Sequence, residues 1–525
     1  MKTPAPAAIT WDASGTALPA IARNVGTRYI AIGIEAVLGL VILPYNLAKL
    51  GHSDYGLWMV AASITAYFSI LDLGYGGALV KFVAQYRARR DAAAINEILS
   101  TLFVVFASAA VVAWLVAAAI GWQLESLFPL TAEQAATGRV VLLIVAANVA
   151  LGFPFSVFGA VINGFQRYDL NNVVGAATSI VAALVNVGML AAGFGLIELV
   201  AATTLVRVAS YFIYRYNAHR VFPALSVRAS LFRRARLKEV TGFSVFVLML
   251  DWAAKVNYSM DALVVGAFLG TAAVAVWTVP QRLSEAIQRL ANQLNEVLFP
   301  TVVDSDAANR PDRLRLILVQ ATRLSLAAVL PAAIVLLVLG GPIIQGWVGP
   351  GFSGAVPVAM LLAVVVAVRV GAATSMTVLK GAGRHKLLAW TNLATAAANL
   401  SLSLLLVRRY GLSGVAAGTL APVALAAAFV IFPAGCRRVG LRVGDALAQA
   451  VWPAVWPAAI VAAWLLAVRP YAPAWLPALA LHAGFAGALY LALFLRWGLP
   501  APERRFVWSK AWSFVTRLRR VEVTT

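Results

Sequence analysis

Five polar residues in an otherwise apolar stretch raise the first chemical question. Arg282, Glu285, Arg289, Asn292 and Glu296 follow one another at steps of three and four. At 100° per residue they fall within roughly 80° of arc, so in a helix they make one continuous stripe. Two readings stand open. Either Arg282, Glu285 and Arg289 form a self-neutralising ladder that joins two helices, or the stripe faces water and its arginines meet an anion. Arginine suits the second task because its planar fork grips phosphate oxygens bidentately. Just upstream, Asp251, Lys255 and Tyr258 share a helical face, with Asp261 about 80° away. Asp251–Lys255 is either a plain intrahelical salt bridge or part of a functional site, and Asp261 either pairs structurally or functions. Glu35 has no cation one helical turn away, and Asp72 sits in the run LDLG. A desolvated carboxyl such as Glu35 pairs at a distance, holds a proton, or stays neutral as a hydrogen-bonded link between helices. Arg369 lies in the middle of an apolar segment, as does Arg207, which fits a peripheral helix with a local partner. Four scattered histidines make no HExxH pair and Cys436 stands alone, so neither a metal site nor a cofactor is expected.

The elements that must carry these residues follow from composition. Of 525 residues 62% are hydrophobic and 12% charged, which excludes disorder and argues against a soluble enzyme. Mean hydropathy is +0.84. At about 35 residues per membrane span plus loop, the length corresponds to about fourteen transmembrane helices. The expectation is an all-α polytopic integral membrane protein, with spans near 24–46, 55–79, 98–120, 139–162, 173–191, 197–217, 240–268, 273–300, 316–340, 355–379, 389–407, 413–434, 448–468 and 475–496. Segment 273–300 carries the polar stripe and would fail a hydropathy window. Its removal would put every later basic loop outside, so it is read as spanning, with a wet or protein-lined face. Alternate connections and the tail then hold about 32 of the Lys and Arg residues, against about five on the other side. Both termini are therefore read as cytoplasmic. The net charge of +21 is topological, and no nucleic-acid partner is expected. The N-terminal run MKTPAPAAITWDASGTALPA is too polar and Pro-rich for a signal peptide, which leaves the first span as an uncleaved anchor.

The halves of the chain resemble each other. Leu50-Gly51 to Trp58 aligns with Leu269-Gly270 to Trp277 at a separation of 219 residues. Asn163-Gly164 to Arg167 aligns with Lys380-Gly381 to Arg384 at 217, and the stretches from Gly195 and Gly411 align at 216. An even number of spans between copies makes the repeat parallel, with a pseudo-twofold axis along the membrane normal and a site expected between the halves. The expected organisation is a cytoplasmic N-terminal tail at 1–23, an N-lobe of six spans at 24–217 and a basic cytoplasmic linker at 218–239. A C-lobe of six spans at 240–434 and two further helices at 435–497 follow. The last segment, 498–525, is a basic tail whose Trp508, Trp512, Val515 and Leu518 share one face, as in a helix lying on an anionic leaflet.

Four stretches carry a family resemblance: LPYNLAKLGHSDYGLWMVAASITAYFSILDLGYGGALVKFVAQY (43–86), INGFQRYDLNN (162–172), MDALVVGAFLGTAAVAVWTVPQRL (260–283) and KGAGRHKL (380–387). With them the whole chain resembles the Wzx-type oligosaccharide flippases, the polysaccharide-transporter group of the MOP (multidrug/oligosaccharidyl-lipid/polysaccharide) superfamily. The resemblance implies a MATE-like fold and alternating-access transport of undecaprenyl-pyrophosphate-linked oligosaccharide from the cytoplasmic to the periplasmic leaflet of a bacterial inner membrane. The carried unit would be a repeat of O-antigen, exopolysaccharide or another polysaccharide. Partners implied are the lipid-linked substrate, membrane lipids, and a glycan polymerase with its export machinery. On this reading Arg282, Arg289, Lys255 and Arg369 are the cavity cations, and Glu35, Asp72, Asp251, Asp261 and Glu285 are the coupling or pairing carboxylates. One alternative is a cation-coupled multidrug exporter, against which the arginine stripe counts. A less favoured one is a polytopic glycan polymerase or ligase, but the longest external loop, 121–138, offers only Glu125 and Glu133 and no His or Arg cluster. No catalytic residue is expected.

Overall fold

The computed structural model describes residues 18–471 and 475–505, without the side chains of 18–22, 25, 242–259, 290, 292–294, 296 and 297. The amphipathic-tail expectation at 506–525 lies outside the described residues. The chain divides into two compact units, residues 1–279 with 403–415, and residues 280–402 with 416–525. All described regular structure is helical. In chain order the helices are α1 (Leu18–Ala66), α2 (Tyr75–Ala88), α3 (Ala92–Trp122), α4 (Leu124–Leu127), α5 (Ala132–Gly164), α6 (Tyr168–Ala191), α7 (Leu196–Val221) and α8 (Arg234–Leu269). There follow α9 (Thr271–Ala307), α10 (Pro311–Val348), α11 (Ala355–Gly381), α12 (His385–Leu425), α13 (Phe432–Arg438), α14 (Val443–Ala446), α15 (Trp452–Val468) and α16 (Leu476–Leu493).

Among the described residues ten helical stretches are long and apolar enough to cross a membrane, from 26–72 to 476–498. Two of them are broken inside by a glycine with positive φ, Gly51 in α1 (φ 75°, ψ 175°) and Gly411 in α12 (φ 56°, ψ −137°). Gly270 (φ 84°, ψ 173°) separates α8 from α9 in the same way as Gly51. The span expected at 55–79 is not one helix. It ends at Ala66, continues as a 3₁₀ turn over Tyr67–Asp72, and reverses at Leu73 and Gly74, both left-handed, before α2.

The duplication is visible in the backbone. Gly51 and Gly270 have nearly the same φ and ψ. Gln166 (φ 59°) and Gly383 (φ 69°) are left-handed at the 217-residue separation, and Arg90 (φ 57°) and Asn309 (φ 48°) at 219. A Cβ on Gly164 would come within 2.5 Å of Val83 Cγ1, and one on Gly381 within 2.6 Å of Val302 Cγ1. Each half thus closes the same pair of helices through the same missing side chain, with partners again 219 apart. A conformation near φ 80° and ψ 175° is essentially restricted to glycine, because a Cβ collides with the backbone there. Gly270→Ala is therefore expected to cost about 1–3 kcal/mol. A midpoint of thermal unfolding equal to that of the parent would show that the α8–α9 joint has no such restriction.

Lipid is as apolar as a buried side chain, so close packing of small residues rather than dehydration holds spans together. In the first unit α3 lies along α5. Ala113, Ala117 and Gly121 recur at four-residue spacing on its buried face, while Val111, Leu115 and Trp114 point outward. The second unit packs Val302, Leu314, Leu318, Val378, Phe432 and Cys436 into one core. There α16 is pinned to α15 by the buried Tyr490 hydroxyl, which donates to the Ala454 carbonyl at 2.9 Å.

Candidate functional site

The α9 stripe is present as a loose ladder. Glu285 stands between the two arginines, 3.8 Å from Arg282 Nη1 and 3.9 Å from Arg289 Nη2. Its other oxygen accepts from Gln281 Nε2 at 2.9 Å. Both ion-pair separations exceed hydrogen-bond length, so neither guanidinium is held by a close N–H···O contact to Glu285. The side chains of Arg282 and Arg289 are 42% and 45% exposed. A helix in lipid does not leave two such cations bare, so this face of α9 meets water, protein that moves, or a polar ligand. Asn292 and Glu296, which extend the stripe, lie outside the described side chains, as do Asp251, Lys255 and Tyr258 on α8.

The remaining candidates take different places. Arg369 is half-buried on α11. Asp261 is buried on α8. Glu35 is not covered by protein on α1, within the membrane-crossing stretch 26–72. Asp72 accepts from the Gly76 backbone N–H at 3.1 Å, so it closes the left-handed turn before α2 and supplies negative charge at that helix's start. Gly76 permits this approach, since a Cβ there would stand 3.1 Å from the carboxylate.

Sequence spacing missed a polar junction in the first unit. Arg236, in the first turn of α8, donates to Glu97 on α3 at 3.1 Å and to the Tyr86 hydroxyl on α2 at 2.8 Å. Tyr86 in turn donates to Glu239 at 2.7 Å, and the Arg236 guanidinium lies 5.0 Å over the Tyr86 ring. Burial, reinforced by the bond to Glu239, pushes the Tyr86 hydroxyl up to about 12. Burial alone would lower the Arg236 guanidinium, but its bonds to Glu97 and Glu239 outweigh that and hold it above its ordinary value. The charged group is thus satisfied on every side and ties the start of α8 to two neighbours. A second junction joins Arg167, Asp169 and Arg23, with Asn24 bridging the starts of α1 and α6. The partners that join different helices are 139 to 153 residues apart, beyond the reach of any local motif. Among the described residues no three His, Cys, Asp or Glu side chains come together as a metal site.

Comparison with known proteins agrees with this architecture. The family model described as polysaccharide biosynthesis protein matches residues 21–305. The protein described as probable flippase AglR of Haloferax volcanii is 23% identical over 351 residues, 66% of this chain and 69% of that protein. Among solved structures, lipid II flippase MurJ in an inward closed conformation gives a TM-score of 0.70 at 12% identity, covering 90% of this chain and 98% of that one. An inward-facing multidrug resistance MATE family transporter of the MOP superfamily gives 0.61 at 15% identity, covering 80% and 98%. At such identities the structural likeness is one of fold. The sequence match goes further because it spans more than half of the chain, from α1 to the end of α9: the chain belongs to the polysaccharide biosynthesis protein family.

Proposed function

We propose that the chain is a flippase for lipid-linked oligosaccharide, carrying a polyprenyl-pyrophosphate-linked repeat unit from the cytoplasmic to the outer leaflet by alternating access. The observation that carries the reading is the exposed arginine pair on α9 within a chain of this family. The pyrophosphate is the part of such a substrate that bears fixed negative charge, and its lipid tail can stay in the bilayer. Cations on a wet helix face lower the cost of bringing that group across, and guanidinium forks orient it. Among the described side chains of the stripe two arginines stand to one glutamate, which suits an anionic cargo better than the cationic drugs of a multidrug exporter.

On this reading the chain crosses a bacterial inner membrane fourteen times with both termini in the cytoplasm, works without a catalytic residue, and passes its cargo to a glycan polymerase and export machinery. The test is lipid analysis of a strain lacking the protein. Lipid-linked oligosaccharide should accumulate facing the cytoplasm, and the accumulated species would identify the glycan. Continued export of single repeat units would instead fit a polymerase, and unchanged glycan export with heightened drug sensitivity would fit the exporter.

A further inference from the structure

A cavity of about 700 Å³ in the second unit belongs to no part of the transport reading above. It lies where α10 and α15 begin and where α16 ends, so three helix ends form its rim. Two π-type turns shape that rim, Leu447–Val451 before α15 and Phe494–Gly498 after α16. Gly498 is what lets them meet, since a Cβ there would stand 2.8 Å from the Pro453 carbonyl oxygen. Helix segments of π type are uncommon and gather at functional sites.

The lining is chemically mixed in a specific way. Trp452, Trp456 and Trp497 supply three indoles, Arg315 and Arg323 two guanidiniums, and Asp312 and Glu503 two carboxylates. Arg323 has a side chain only 4% exposed and is held by Glu503 at 2.7 Å. Its Nε nevertheless has no hydrogen-bond partner among the described residues. A buried guanidinium N–H left unmade is costly, about 1–3 kcal/mol or more for a charged group. Trp452 and Trp497 are 63% and 62% exposed, the placement of indoles at a membrane–water boundary. Arg310, Arg313, Arg437, Arg442, Arg496 and Arg504 cluster in sequence around the same three helix ends. On the topology adopted above, that end faces the cytoplasm.

We propose that this cavity is a binding site for the zwitterionic head group of a cytoplasmic-leaflet phospholipid, an amino-phosphate of the phosphatidylethanolamine type. The assignment rests on the topological part of the proposed function but not on its substrate. The charge of the lining is the deciding feature: Arg323 and Glu503 pair with each other, which leaves Arg315 for a phosphate and Asp312 for an ammonium, whereas an anionic lipid would leave Asp312 opposed. The phosphate meets Arg315, in front of the buried Arg323–Glu503 pair. The ammonium donates to Asp312 and lies against the indoles, a favourable cation–π contact. The acyl chains stay in the bilayer beside the exposed tryptophans.

Native mass spectrometry of the purified full chain, incubated with vesicles of phosphatidylethanolamine, phosphatidylglycerol or phosphatidylcholine, tests this directly. Phosphatidylethanolamine should be retained at least fivefold more than either other lipid, and the double variant Arg315→Gln/Trp497→Leu should lose that preference. Both substituted side chains are exposed, so folding is retained, and export need not change for the binding result to count. Equal or stronger retention of phosphatidylglycerol, or a preference untouched by the double variant, overturns the proposal. Retention of millimolar O-phosphoethanolamine with no retention of phosphatidylethanolamine also overturns it, by showing a soluble ligand instead. Because the readout is lipid retention, it separates from a failure of the flippase reading, which the deletion strain reports.

Discussion

Removal of the positive charge at Arg282 or Arg289 is expected to reduce glycan export by about 10- to 100-fold while folded protein remains in the membrane. The magnitude follows from losing one charge-assisted, bidentate phosphate contact, about 1.5–3 kcal/mol, at 1.4 kcal/mol per factor of ten. The argument against a purely structural ladder is geometric. Helix-joining ion pairs in lipid are short and buried, because an unmatched charge there costs about 2.5–3.5 kcal/mol even on the lower scales. Here Glu285 stands 3.8 and 3.9 Å from its two arginines, and both arginines are more than 40% exposed. An intrahelical i,i+3 and i,i+4 ladder of that looseness contributes only a few tenths of a kcal/mol, so its loss should not unfold the protein. Arg282 Nη1 and Arg289 Nη2 approach the same Glu285 oxygen, at 3.8 and 3.9 Å, which sets the two forks close enough for a pyrophosphate to pass from one to the other. Arg→Lys at either position should restore export only partly, because a point charge replaces the fork. The measurements are surface glycan and membrane-protein level for each variant. Normal export by Arg289→Ala, or a failure of every such variant to accumulate, would make the stripe structural and place the substrate elsewhere.

Much of the architecture was legible because it depends on composition and on glycine. Apolar runs and the basic bias mark membrane-crossing helices, and the LG pairs at 50–51 and 269–270 mark two copies of one helix break. The repeat is deeper than its letters, however. Arg90 and Asn309 share neither charge nor size, yet both take a left-handed φ at the 219-residue separation, because the turn constrains the backbone and not the side chain. The glycines at 164 and 381 look like motif residues, and their reason is steric: Val83 and Val302 occupy the space a Cβ would need. Helical spacing found the Arg282–Glu285–Arg289 stripe, since one helix suffices to align it. It could not find the Tyr86–Glu97–Arg236–Glu239 junction, which needs three helices to meet, nor show that Asp72 closes the turn before α2. Charge within an apolar segment was a fair guide to interest, but burial depends on which face the fold turns inward. Glu35 is not covered by protein for that reason, while Asp261 is buried.

The same distinction between loose and buried pairs sets the second large expectation. Glu503→Ala should destabilise the protein by about 3–5 kcal/mol, far more than any change on the α9 stripe. Arg323 is 4% exposed and takes both Glu503 oxygens, at 2.7 and 2.9 Å, while Gln320 donates to one of them at 3.0 Å. Without the carboxylate a guanidinium remains charged in a buried site, since its proton is not released at any physiological pH. Glu503 also follows α16 by ten residues, so the bond anchors the segment that leads into the basic tail. Loss of accumulation and faster proteolysis of the C-terminal tail should therefore appear together in Glu503→Ala. The double variant Arg323→Met/Glu503→Met removes both charges and keeps most of the volume, and it should recover most of the stability. Unfolding midpoints and limited proteolysis of the single and double variants decide the matter. If the single variant unfolds like the parent, Arg323 has another anion to rest against; if the double variant is as unstable as the single, packing and not charge holds this end of α10.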